Sequence, residues 1–188
     1  MLNADLPAPP SCGGDAGPLA RLLAGGRHNR LLILGAPPPE LGIEGTGHFE
    51  RVVRLVQTDA QAEHAGHNLA VADPTRLPFV EALFDRVLLT SLLPSTAART
   101  ELREAWRIMS PAALAVFVVK ARRPWQVKHA GWSTDDLVAV IEASMFEVLD
   151  KAVETIPDRH HIVLVSKRDG LRAAPLGAVM ARTAPATT

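Results

Sequence analysis

Leu77-Pro78-Phe79-Val80-Glu81-Ala82-Leu83-Phe84-Asp85-Arg86-Val87-Leu88-Leu89, followed downstream by Arg107-Ile108-Met109-Ser110-Pro111, decides how this chain folds. The first stretch opens as a turn and closes on an apolar run of strand length. Between the two, Ser95 is the expected N-cap of a helix with an apolar stripe at Leu102, Ala105, Trp106 and Met109, the i, i+3, i+4, i+7 spacing. Its charged residues Arg99, Glu101, Arg103, Glu104 and Arg107 are expected on a solvated surface. A second apolar run, 114–119, is strong in β-branched residues. Turn, buried strand, amphipathic helix and buried strand make half of a doubly wound α/β domain.

The same alternation extends outward in both directions. Residues 18–24 read as a short helix stopped by Gly25-Gly26. Residues 31–34 form a continuous apolar run ending at Gly35, as expected of a strand buried on both faces. Residues 52–56 give a second run and 69–72 a weaker third. Ser133 is the expected cap of a second clear helix, with Asp136 as its acidic partner and Trp132 and Leu137 as a hydrophobic staple. The runs 146–153 and 162–165 leave no room for a helix between them, so they are expected to pair as an antiparallel hairpin. Trp106 and Trp132 are both read as packing residues.

Composition allows one domain. The chain has 188 residues, of which 47% are hydrophobic, enough for a sizeable core. Twenty acidic and twenty basic residues cancel, so no global charge points to nucleic acid or an anionic membrane. The expected organisation is a flexible segment over 1–17, an α/β domain over 18–169, and a flexible Ala/Pro/Thr-rich tail over 170–188. The lone Cys12 has no internal partner, which fits a reduced, cytoplasmic setting. No apolar run approaches the length of a membrane span.

The quoted stretch resembles the second half of the class I S-adenosylmethionine-dependent methyltransferases, methyltransferase type 11-like. Their pattern there is roughly LPF-x-x-x-x-FD-x-V, then a helix ending R-x-L-x-P-G-G. The resemblance spans about residues 27–168 and implies a Rossmann-like, doubly wound, mostly parallel seven-stranded sheet with a C-terminal antiparallel hairpin. It also implies S-adenosylmethionine as cofactor, bound beyond the C-terminal strand ends. Carried over position by position, Gly35 is the surviving glycine of the first loop. Gln57 stands where an acid usually meets the ribose, and Asp73 stands where an acid accepts from the adenine amino group. Asp73 also reads as an Asx-turn residue before Pro74, and a register bringing Asp59 to the ribose is the alternative to Gln57.

The departures are equally specific. Pro37-Pro38-Pro39 follow Gly35 and Ala36, removing three N–H donors from the loop that ordinarily forms a backbone nest. Gly42, Gly45 and Gly47 disfavour a long helix after it. Pro111-Ala112-Ala113 replaces P-G-G, a change that bears on turn geometry. Thr90-Ser91-Leu92-Leu93-Pro94 carries no titratable group, and no catalytic residue is assigned. Within the family the chain is most similar to a bacterial subgroup with an altered first motif and a segment like Arg122-Arg123-Pro124-Trp125.

Lys120, Arg122, Arg123, Lys128 and His129 could form a basic mouth for an anion, or a solvated loop. His64 and His67 have a metal-like spacing but lack further ligands nearby, so no metal site is assigned. His160-His161 is expected at a surface or facing a partner. Two functions follow. The resemblance implies a small-molecule methyltransferase using Gly35, Gln57 and Asp73, or a non-catalytic protein of that fold, a pseudoenzyme, serving as a binding or regulatory partner. The implied partners are an unidentified small molecule or a protein, with a homodimer compatible with either.

Overall fold

The computed structural model describes residues 18–37, 49–57, 69–90, 92–123, 131–156 and 158–168. In chain order the elements are α1 (Pro18–Leu23), β1 (Arg30–Leu34), β2 (Arg51–Val56), β3 (Leu69–Val71), β4 (Phe84–Leu89), α2 (Ala98–Ile108), β5 (Met109–Lys120), α3 (Thr134–Glu142), β6 (Phe146–Ile156) and β7 (Asp158–Lys167). The seven strands form one sheet in the order β3-β2-β1-β4-β5-β7-β6. Strands β1 to β5 pair parallel, while β7 runs antiparallel to both β5 and β6. The expected doubly wound sheet and terminal hairpin are both present.

Strand alternation builds two apolar layers. Leu32, Leu34, Val87, Leu89, Phe117 and Val163 face one side, where Leu102, Ala105 and Ile108 of α2 and Leu137 and Ile141 of α3 cover them. Leu31, Ile33, Leu88, Val116 and Val118 face the other side, against Leu19 and Leu23 of α1 and Phe49. The rings of Phe117 and Phe146 meet edge to face at 5.3 Å in the first layer.

Local chemistry sets the element ends. Ser133 caps α3 as expected: its Oγ accepts from the Asp136 N–H at 3.2 Å and donates to the Asp136 carboxylate at 2.6 Å. Ser95 does not cap α2. That helix starts at Ala98 with Ala97 at the cap position and no side-chain cap bond, and the Ser95 carbonyl serves only a turn to Ala98 N. Met109 also leaves the expected helical stripe, because it is the first residue of β5. At the end of α1 the left-handed residue is Ala24, with φ of 40°, rather than a glycine. Gly25 is needed for another reason: the Phe49 ring packs where its side chain would stand.

Asp85 of the FD pair ties the opposite end of the sheet. Its two oxygens accept from Arg30 N at 3.0 Å and from Ser110 Oγ at 2.8 Å. Beside it, β5 advances from Met109 to Leu114 while β4 advances only from Phe84 to Arg86, so β5 bulges at Pro111-Ala112-Ala113. Ala112 sits in that bulge at φ of 59°, the geometry that glycine adopts without strain. Relief of a left-handed alanine is worth about 1–2 kcal/mol and the added chain entropy costs about 0.4–1 kcal/mol. Ala112→Gly is therefore expected to stabilise the protein by up to about 1 kcal/mol, read as a thermal midpoint raised by about 2–4 °C.

Candidate functional site at the C-terminal strand ends

Strand order reverses at β1, which lies between β2 and β4, so the loops leaving β1 and β4 diverge there. Such a divergence is where open α/β sheets bind ligands. Gly35 is buried with φ of 90°, and its N–H donates to the Leu55 carbonyl at 2.7 Å. The Leu34 carbonyl accepts from Thr90 N at 2.9 Å and from Thr90 Oγ1 at 3.1 Å, pinning the loop after β4 beside the loop after β1. Gln57 follows β2 directly and is half-buried. Ala72 N donates to the Val56 carbonyl at 3.0 Å, which sets Asp73 on the next loop along the same edge. Gly35, Gln57 and Asp73 thus lie on three adjacent loops of one rim. Asp59, Pro38, Pro39 and the glycines at 42, 45 and 47 fall outside the described residues.

Asp73 fills its local role with one oxygen. Oδ1 accepts from Thr75 N at 2.8 Å and from Thr75 Oγ1 at 2.7 Å, and the Asp73 carbonyl accepts from Arg76 N at 3.0 Å. The Thr75 hydroxyl, then the Thr75 N–H, holds the carboxyl below its ordinary range, so it is ionised at neutral pH. The side chain is exposed, and among the described residues nothing pairs with Oδ2. The Asx-turn reading is therefore realised, with one carboxylate oxygen left over. Glu101 on α2 is not a fully solvated surface residue. Burial, and next the charge of Asp73, raise its pKa.

Behind this loop stands a clamp that the charge pattern of α2 conceals. Glu104 Oε2 accepts from Leu77 N at 3.0 Å. Arg107 donates to both Glu104 oxygens at 3.0 and 2.8 Å, to the Phe79 carbonyl at 2.8 Å and to the Leu77 carbonyl at 3.1 Å. The pair looks like an ordinary i,i+3 surface bridge in the sequence, yet it holds the Leu77-Pro78-Phe79 turn against the helix. Leu77 is buried, and the Phe79 ring meets Phe84 edge to face at 5.0 Å. The available signal was the arginine of the R-x-L-x-P pattern, which here is Arg107.

On the other side of the divergence the loops are joined through Trp132. Its indole Nε1 donates to the Leu92 carbonyl at 3.1 Å, and its own carbonyl receives His161 Nε2 at 3.0 Å. His161 is buried, unlike the surface position expected of it, because β7 turns it toward α3. Burial first, with Arg159 adding repulsion against a partly opposing bond to Trp132, lowers its pKa. The folded protein therefore keeps a neutral imidazole where the unfolded chain takes up a proton. As pH falls below the ordinary value of 6.5, stability is expected to drop by at most about 1.4 kcal/mol per pH unit until the folded imidazole itself titrates. Urea midpoints between pH 7 and 5 check this, with a shallower slope expected for His161→Gln.

The basic residues beyond β5 do not form an open cationic mouth where they are described. Lys120 pairs with Asp158 at 3.1 Å and Arg122 with Asp136 at 3.5 Å. Lys128 and His129 lie outside the described residues, as do His64 and His67. No described helix is long and apolar enough to cross a membrane.

The strand order and the reversed β7 are those of the class I S-adenosylmethionine-dependent methyltransferase fold. No protein-family model and no curated protein sequence matches the chain. Among solved structures it is similar to the N-methyltransferase NodS from Bradyrhizobium japonicum WM9 in complex with S-adenosyl-L-homocysteine. There 15% of residues are identical, the TM-score is 0.62, and the match covers 80% of this chain and 84% of that one. A SAM-dependent methyltransferase from Methanosarcina mazei is similar at 14% identity and a TM-score of 0.62, over 81% of this chain and 98% of that one. The [4+2]-cyclase SpnF is similar at 14% identity and a TM-score of 0.63, over 81% and 79%. At such identities the likeness establishes the fold, and a cyclase among these structures means that the fold alone does not fix the reaction.

Proposed function

We propose that the chain is a methyltransferase-like protein that takes S-adenosylmethionine at the rim formed by Gly35, Gln57 and Asp73 and acts on a small molecule. The observation that carries this reading is Asp73. Its carboxylate is ionised and fixed by Thr75 through one oxygen, with the other open on the rim. That oxygen suits the adenine amino group, Gln57 suits a ribose hydroxyl, and the left-handed backbone at Gly35 lets the chain turn tightly beside a ligand. When bound, S-adenosylmethionine supplies a methyl group on a sulfonium centre. The protein's share is to bind and orient, since methyl transfer relies mainly on proximity and alignment.

The residues fit the nucleoside half of this cofactor better than its amino-acid half. The Gly35 N–H is already given to Leu55, and Pro37, Pro38 and Pro39 have no N–H to give. This supports a second reading, in which the site holds an adenine nucleoside and the protein is a non-catalytic partner. Calorimetric titration of the full chain with S-adenosylhomocysteine and with 5′-methylthioadenosine, which lacks the amino-acid group, separates the possibilities. Affinities within about tenfold of each other are expected. Absence of heat with both ligands at about 1 mM would sink the cofactor reading.

A further inference from the structure

A second site lies away from this rim. We propose that the cleft between α3 and the β6–β7 hairpin binds a small organic anion that has a compact apolar body and a hydroxyl at its far end. The inference is independent of any cofactor at the strand ends.

Register creates the cleft. Cross-strand pairing sets Lys151 opposite Val163 and Val153 opposite His161, so all four share one sheet face. That face is the one α3 covers, since Val163 packs in the same layer as Leu137 and Ile141. This face is closed at Phe146 and along β7, and open around Lys151 and Val153 of β6. His161 and Val163 are 5% and 2% exposed, against 40% for Val153. The cleft is half open, takes in about 170 Å³, and is lined on the helix side by Thr134, Leu137 and Val138. An apolar cavity of roughly 150 Å³ holds a benzene ring.

Two polar groups give the cleft its chemistry. The Trp132 carbonyl can only accept, so His161 Nε2 carries the proton. The neutral ring is thereby left with an Nδ1 lone pair that no described residue meets. That nitrogen is open to solvent, and a ligand hydroxyl in the cleft can donate to it. At the mouth, no described carboxylate pairs with the Lys151 ammonium. Its sequence neighbour Asp150 is turned to the Lys151 backbone N–H at 2.8 Å. Lys151 and Val153, whose neighbour is His161, are two positions apart along β6, or about 7 Å. A para-substituted ring likewise sets a carboxylate apart from a hydroxyl, the acid toward Lys151 and the hydroxyl toward His161, which makes 4-hydroxybenzoate a suitable probe.

The test is a titration of the full chain with 4-hydroxybenzoate, without S-adenosylmethionine, followed by amide NMR. Saturable shifts are expected at Leu137, Val153, His161 and Val163. Binding of 4-hydroxybenzamide is expected to be at least tenfold weaker, as is binding of 4-hydroxybenzoate to Lys151→Ala. Val153→Trp, a change at a half-open position that fills the cleft, is expected to abolish binding while the remaining spectrum is retained. The proposal is overturned by no saturable shift at about 10 mM ligand, by equal binding of the amide, or by unchanged binding to Val153→Trp.

Discussion

Arg107→Ala is expected to lower the unfolding free energy by about 2–4 kcal/mol, among the largest effects available to a residue that is not in the core. The arginine holds two carbonyls and both oxygens of Glu104, and each half of the pair is mostly shielded from solvent. Its removal strands the carbonyls of Leu77 and Phe79 and leaves Glu104 with the Leu77 N–H alone. Lysine is expected to recover only part of the loss, because a single ammonium cannot reproduce the guanidinium fork. Arg99 on the exposed side of the same helix is the control, with an alanine change there expected to stay within about 0.5 kcal/mol. Urea unfolding followed by tryptophan fluorescence measures all three. An Arg107→Ala loss below about 0.5 kcal/mol would mean that the clamp is not formed.

The second large effect concerns binding rather than stability. Asp73→Asn preserves an oxygen for Thr75 but replaces the open acceptor on the rim with an amide donor, which opposes the donor amino group of adenine. Its stability is expected to stay within about 0.5 kcal/mol of the parent. Its affinity for S-adenosylhomocysteine is expected to fall by about tenfold to a hundredfold, the worth of a charge-assisted hydrogen bond. Asp73→Ala is expected to show the same loss of affinity together with a destabilised turn. Equal affinity of parent and Asp73→Asn would remove Asp73 from the site. The two variants thus separate the two tasks of one carboxylate.

The sheet was legible because its strands announce themselves locally. The run 31–34 ends at Gly35, the runs 146–153 and 162–165 are too close for a crossover, and Ser133 and Asp136 stand at capping spacing. Pro111-Ala112-Ala113 was legible as altered turn geometry, and Ala112 indeed takes a left-handed conformation. What escaped depends on long-range placement. The Glu104–Arg107 pair has helical spacing, but its partners lie 27 to 30 residues earlier in the chain. His161 alternates correctly along β7, yet which strand face lies under α3 is a property of packing and not of the sequence pattern. Ser95 had the right chemistry for a cap two residues too early. At the rim, Gly35, Gln57 and Asp73 fall on adjacent loops, but the sequence could not show that the turn at Asp73 takes a single carboxylate oxygen.

The central claim is that these three loops form one ligand site, and an amide NMR titration of the full chain with S-adenosylhomocysteine tests it most directly. The expected result is that the amides of Gly35, Gln57 and Asp73 shift together along one saturating curve. No shift at about 1 mM ligand, or saturating shifts confined to residues away from the C-terminal ends of β1, β2 and β3, would contradict it.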